Sequence, residues 1–194
     1  CWKDGQDLGA KTTWSRDMAT GLITWAWRTK RLDVLERHFN YGRLHAWQMG
    51  FPLADGRTLY TPQLQGDLAE TIYALGGDDY IERRWPEVYP GGLDDFEAHL
   101  QVLSIVHRGE VEGSYSLLDI SATMKERLEE HAAAEPTNAL YQAAYGRYTG
   151  DMSPAGLALQ SGFVPSYVRC ADQPLCEQVE WLFAADIYLK ACGG

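Results

Sequence analysis

The sequence predicts an all-α protein with one small β excursion near residues 51–60. Three observations carry this. Apolar residues recur at threes and fours along most of the chain, which is the helical period. The segments showing that period are separated by short links carrying Gly, Pro, Ser or Thr, the residues that stop and start helices. The alternation expected of strands appears only around Asp55-Gly56, a dipeptide that suits a two-residue hairpin turn.

Taken in order, Ser15 caps a helix running to about Arg28, with Met18, Leu22 and Trp25 on its inner stripe and Trp14 stapling back onto its first turn. After a link at about Thr29 to Arg31, the second helix carries Leu32, Leu35, Phe39, Gly42, Ala46 and Met49. Gly42 and Ala46 leave room for another helix, and Gly50 is the stop. So short a link makes the two helices an antiparallel hairpin. FPLADGRTLY, residues 51–60, is the β excursion. Thr61-Pro62 opens the third helix, with Leu64, Leu68, Ile72 and Leu75 inward and Gly76-Gly77 as its end. Residues 78–92, DDYIERRWPEVYPGG, form a long loop, since two prolines and a Gly-Gly bar a continuous helix. A helix then runs from about Asp94 to Arg108 with Phe96, Leu100 and Leu103 inward. Ser116 and Asp119 resemble a capping box for a helix to about Ala133. Thr137 to Tyr148, stopped by Gly150, a short helix opened by Ser153-Pro154, and Pro174 to Ala191 complete eight helices.

At 194 residues the chain is most simply one domain over 1–194, with two small ones as the alternative. It can bury roughly 70% of its unfolded surface and needs no metal to fold. Its formal net charge of −10 disfavours nucleic acid, whose binding rests on clustered cations neutralising phosphates. An acidic membrane surface is disfavoured for the same reason, and a neutral polar ligand such as a glycan is not. The basic run Arg28-Thr29-Lys30-Arg31 reads as a helix C-terminus, where cations answer exposed carbonyls. No apolar run is long enough to span a bilayer.

Four cysteines, Cys1, Cys170, Cys176 and Cys192, allow three pairings. The turn-forming spacer between Cys170 and Cys176 favours that pair, with Cys1–Cys192 tying the ends together. Disulfides place the protein in an oxidising compartment, secreted or periplasmic. Reduced thiols in a cytosolic protein are the alternative. The chain opens at Cys1 without Met. That suits a removed signal peptide or a trimmed end better than a lipid anchor, which prefers small residues after its cysteine.

The patterns GxGxxG, Walker A, GxSxG and HExxH are absent, so the corresponding nucleotide, hydrolase and zinc readings lack their entry feature. His38 and His45 lie seven apart on one helix, about 10 Å along its axis, and His99 and His107 eight apart, so neither pair serves one metal. We expect no metal and no cofactor. Asp17, in a first helical turn beside Arg16, is held anionic by the helix end and the guanidinium. It suits a base, a nucleophile or an acceptor for sugar hydroxyls. A helix-capping ion pair is the alternative. Glu87, between Trp85 and Tyr89, is the candidate acid, since aromatic neighbours desolvate a carboxylate and favour its neutral form. Asp67 and Glu70 are rivals for that role. Seven Trp and eleven Tyr supply rings for stacking on sugar faces. Trp14, Trp27, Trp47, Trp85 and Tyr89 fall near helix ends or in the loop, and His45 beside Trp47 is a further ligand contact. Core packing is the alternative for each ring.

Helical hairpins with short turns, a β excursion after the second helix, and clustered Trp and acids resemble the (α/α) toroid folds of several glycoside hydrolase and polysaccharide lyase families. That resemblance implies a glycan-binding and glycan-cleaving protein. A complete ring has about twelve helices, so eight imply a partial toroid. The segment from Ser15 to Gly50 also resembles a group of uncharacterised bacterial and phage proteins carrying SRDM followed by G-x-L. The matching positions are Ser15, Arg16, Asp17, Met18, Gly21 and Leu22, and the similarity covers about residues 12 to 76. That second resemblance carries no activity with it. The alternative function is a non-catalytic structural or interaction protein, for example of envelope or phage origin, in which Arg16 and Asp17 form a buried ion pair that fixes the helix start.

Overall fold

In the computed structural model the described residues are 2–3, 6–7, 16–49, 58–82, 95–161 and 174–193. Among them are eight helices, so the protein is mostly helical, with two short antiparallel ladders. The chain divides into two compact units, Cys1–Pro86 and Glu87–Gly194, each with its own buried cluster. Length alone favoured one domain. The physical basis of the division is that two separate sets of helices each close a core.

Unit 1 holds β1 (Trp2–Lys3), β2 (Gln6–Asp7), α1 (Arg16–Arg28), α2 (Leu32–Leu44), β3 (Gln48–Met49), β4 (Thr58–Leu59) and α3 (Pro62–Ala74). The β1–β2 pair, Trp2 opposite Asp7 and Lys3 opposite Gln6, was not expected from sequence. The helices α1, α2 and α3 all pack on one another. The turn between α1 and α2 closes through Arg31 N–H donating to the Ala26 carbonyl at 2.8 Å, with Lys30 at a φ of 58°.

The buried row of α1 is Ala19, Ile23 and Ala26, whereas the expected inner residues Met18 and Trp25 are 50% and 45% exposed. Both rows have the same period and lie one helical step apart. The row that turned inward is the one whose side chains join the buried cluster of α2 and α3.

α2 stops at Leu44, short of the expected Gly50. His45, Ala46 and Trp47 form a turn with Ala46 and Trp47 at φ of 51° and 61°, a left-handed backbone that is unusual without glycine. The turn sends Trp47 back over its own helix. A Cβ on Gly42 would sit 2.5 Å from Trp47 Cε3, so Gly42 makes room for this indole and not for a second helix. The indole also meets the Phe39 ring edge-on at 5.0 Å and lies parallel to Tyr60 at 6.5 Å. This early stop moves the β excursion: its strands are 48–49 and 58–59, with Gln48 opposite Leu59 and Met49 opposite Thr58. The Asp55-Gly56 turn lies outside the described residues.

α3 opens as expected, with Thr61 Oγ1 accepting from Leu64 N–H and Pro62 in the first turn. Gly76, at a φ of 88°, follows its end. Beyond it Tyr80 stacks on Phe39 at 4.0 Å, tying the start of the 78–92 loop to the core.

Unit 2 holds α4 (Asp95–Glu112), α5 (Ala122–Ala134), α6 (Ala139–Thr149), α7 (Ser153–Ser161) and α8 (Pro174–Cys192). The helix α6 is the hub and packs against all four others. Residues 139–144 are buried without interruption, so the first half of α6 has no outward face. Asn138 caps it, accepting from Leu140 N–H and Tyr141 N–H, and Gly150 closes it in the left-handed region. The expected capping box at Ser116 and Asp119 is not used. There Ser116 Oγ accepts from Leu118 N–H within a turn, and the cap of α5 is Ser121, which accepts from Met124 N–H at 3.2 Å. The turn reverses the chain first, so the later hydroxyl meets the first free N–H groups.

Candidate functional site

The best-defined candidate surface in unit 1 is the end of α2 and the short ladder after it. Tyr41 and His45 are one helical turn apart, so their rings meet, with centroids 4.1 Å apart and planes tilted by 34°. Tyr41 is 41% exposed and His45 is also exposed. Gln48 N–H donates to the His45 carbonyl, which sets exposed Gln48 beside the pair, and Leu59 stands opposite it across the ladder. Arg43 reaches Glu82 at 3.8 Å. The surface therefore combines flat rings, an amide and an exposed aliphatic group.

Behind it lies a buried support. His38 Nε2 and Tyr60 OH are 2.7 Å apart, and Gln65 Nε2 donates to the Tyr60 carbonyl at 2.8 Å. Burial pushes His38 down to about 4. The imidazole is therefore neutral at physiological pH and acts as a strut.

The expected site residues separate on this frame. His45 is on the surface. Trp47 is half-buried and wedged among Gly42, Phe39 and Tyr60, so its ring serves the core and is not an open platform. Trp27 is half-buried with Lys30 Nζ over its ring at 3.9 Å. Arg16 opens α1, half-buried. Asp17 is in the first turn of α1, as expected, but its side chain lies outside the described residues, as do Trp14, Ser15, Trp85, Glu87 and Tyr89. Asp17 belongs to unit 1 and Glu87 begins unit 2. Of the rival acids, Asp67 is 1% exposed and faces the core, and Glu70 is half-buried.

Cys192, expected to pair with Cys1, ends α8 as an exposed, free thiol. Its place in the last turn of a surface helix leaves it facing solvent. Cys1 and Cys170 lie outside the described residues, as does the side chain of Cys176.

Unit 2 holds a set of buried polar groups. His131 Nε2 and Gln101 Oε1 are 3.2 Å apart, and His99, Ser104 and His107 of α4 are also buried. Burial lowers His131, with Arg127 adding to the effect. Gln142 Nε2 donates to the Ala132 carbonyl at 2.6 Å. These groups stitch α4, α5 and α6 together. Among the described residues no three His, Cys, Asp or Glu gather as a metal site would need. No helix among them is long and apolar enough to cross a membrane. Tyr41 is the surface residue that sequence reasoning missed, and its spacing of four from His45 was the available signal.

No protein-family model matches this chain, and neither does any curated protein or solved structure.

Proposed function

We propose that this is an exported glycan-binding protein that meets its ligand at the end of α2. The carrying observation is the exposed Tyr41–His45 ring pair beside Gln48. A flat ring offers its face to the C–H side of a sugar, and the imidazole and amide offer hydrogen bonds to hydroxyls. A neutral polar ligand meets no repulsion from a chain of net charge −10.

Cleavage is the stronger form of the proposal. It assigns Asp17 as base or nucleophile and Glu87 as acid, with Trp14, Arg16, Trp85 and Tyr89 around the sugar, and needs the two carboxyl groups within roughly 5–10 Å. Binding needs neither group. The partial (α/α) toroid belongs to the same proposal. The turn-linked α1–α2 pair supports it, while the gathering of unit 2 around α6 speaks for a bundle there. Export rests on the cysteine content, with Cys170–Cys176 as the predicted pair. The alternative, a non-catalytic interaction or structural protein of envelope or phage origin, draws support from the exposed Met18 and Trp25 on α1.

A panel of neutral polysaccharides titrated calorimetrically tests the reading. Tyr41→Ala and His45→Ala should each weaken binding about tenfold or more, as loss of a central contact does, at an unchanged melting temperature. No binder in the panel, or binding that survives both substitutions, would overturn it. Release of reducing ends by the intact protein, abolished by Asp17→Ala and Glu87→Gln, tests cleavage separately.

A further inference from the structure

The core takes only one of two apolar rows on α1. Met18, Gly21, Leu22 and Trp25, at positions i, i+3, i+4 and i+7, form the other. Such a set marks the four corners of the hole that a side chain from a facing helix fills when two helices interlock. Met18 and Trp25 are about half exposed. Gly21 is exposed, and a Cβ built on it would meet nothing within 4 Å, so the middle of the row is an open notch. Contiguous apolar surface of this kind marks an interaction site more often than a bare exterior. Tryptophan and arginine, both present at its C-terminal end, are the residues on which binding energy concentrates.

Charge indicates what fills the notch. Residues 18–32 contain no Asp or Glu and three cations, Arg28, Lys30 and Arg31, in a chain with 27 acidic residues. The Arg31 guanidinium lies 5.9 Å from the centre of the Trp25 ring. Arg31 and Arg37 share the single carboxylate of Asp33, so the neighbourhood stays positive. A flat membrane surface has no knob for a notch.

We propose that this face of α1 docks an amphipathic helix of another protein, with an apolar knob seated at Gly21 and carboxylates set against Lys30 and Arg31. The inference is independent of the glycan surface.

Two synthetic helical peptides of about five turns test it on the full chain. They share a leucine stripe, one flanked by Glu and the other by Lys. The Glu peptide should bind at least about tenfold tighter, with the preference shrinking as salt rises. Gly21→Leu fills the notch without entering the core, and Trp25→Ala removes one wall. Each should weaken binding about tenfold or more while the helical circular dichroism is unchanged. Lys30→Glu should narrow the preference between peptides. Equal binding of both peptides, binding of neither, or binding indifferent to Gly21→Leu would overturn the proposal. So would a wild-type dimer dissociated by Gly21→Leu, which would assign the face to a second copy. Trp25-dependent binding to phosphatidylserine vesicles in place of the peptides would assign it to a membrane and overturn it equally.

Discussion

In unit 1 the interior is closed by rings. Phe39 stacks on Tyr80 and meets Trp47 edge-on, Trp47 lies parallel to Tyr60, and Tyr60 is held by His38. The helix α2 there is one-sided: it buries Leu35, Phe39 and Gly42 and leaves the rest half-exposed or open, while α3 behind it buries residues 66–69 in succession. In unit 2 the interior is closed by a helix. α6 buries Ala139, Leu140, Tyr141, Gln142, Ala143 and Ala144 in succession, and α4 and α5 bring buried Gln101, Ser104 and His131 to it. Large rings fill space between helices that stay apart, whereas small residues admit helices on every side of one axis. The second solution brings backbone and polar side chains inside, where they must find partners. Gln142 and His131 find theirs across helices, while Gln101 is paired at Oε1 and leaves its buried Nε2 without a hydrogen-bond partner.

The contrast can be broken from either side. The largest effect is expected in unit 1. Phe39→Ala removes the ring that both Tyr80 and Trp47 lean on and should cost about 3–5 kcal/mol, read as a fall in the urea midpoint. A loss under about 1 kcal/mol would mean that the rings are not what closes this core.

In unit 2 the opposite change is the damaging one. Ala143 is fully buried on the hub. Ala143→Leu has no space to enter and should cost about 1–3 kcal/mol by overpacking. A neutral result in denaturant would show that α6 is less tightly enclosed than its burial indicates.

The pH response sharpens the comparison further. Burial holds His38 neutral, at about 4 against an ordinary 6.5. The unfolded chain therefore binds a proton across that interval while the folded chain does not. The contribution is fully present above about 6.5, is lost as pH falls from there to about 4, and is flat below. For a half-buried group the loss is roughly 2 kcal/mol. Melting temperatures at pH 7 and pH 5 should show it, and His38→Gln should remove most of the slope. His131 in unit 2 is lowered too, so its effect has the same sign. A slope unchanged in His38→Gln would move the acid sensitivity to unit 2.

Where a start or stop rests on one or two local residues, it was legible. Thr61-Pro62 opens α3, Ser153-Pro154 opens α7, and Gly150 closes α6 where a left-handed residue is needed. The site was less legible. His45 was visible as an exposed candidate, but its partner Tyr41 was not singled out, and Trp47, an expected platform, is a core ring. Pattern alone could not see this because Trp47 gains its place from a left-handed turn that folds it onto Gly42.

Local sequence by itself determined the helical class, the turn between α1 and α2, the opening of α3 and the stop of α6, because those depend on backbone groups a few residues apart. Tertiary packing decided which of two equally periodic rows of α1 turned inward, where α2 stopped, and that α6 became a buried hub. Those choices turn on which side chains fit together once distant segments meet, and a helical period is the same for the row that is buried and the row beside it.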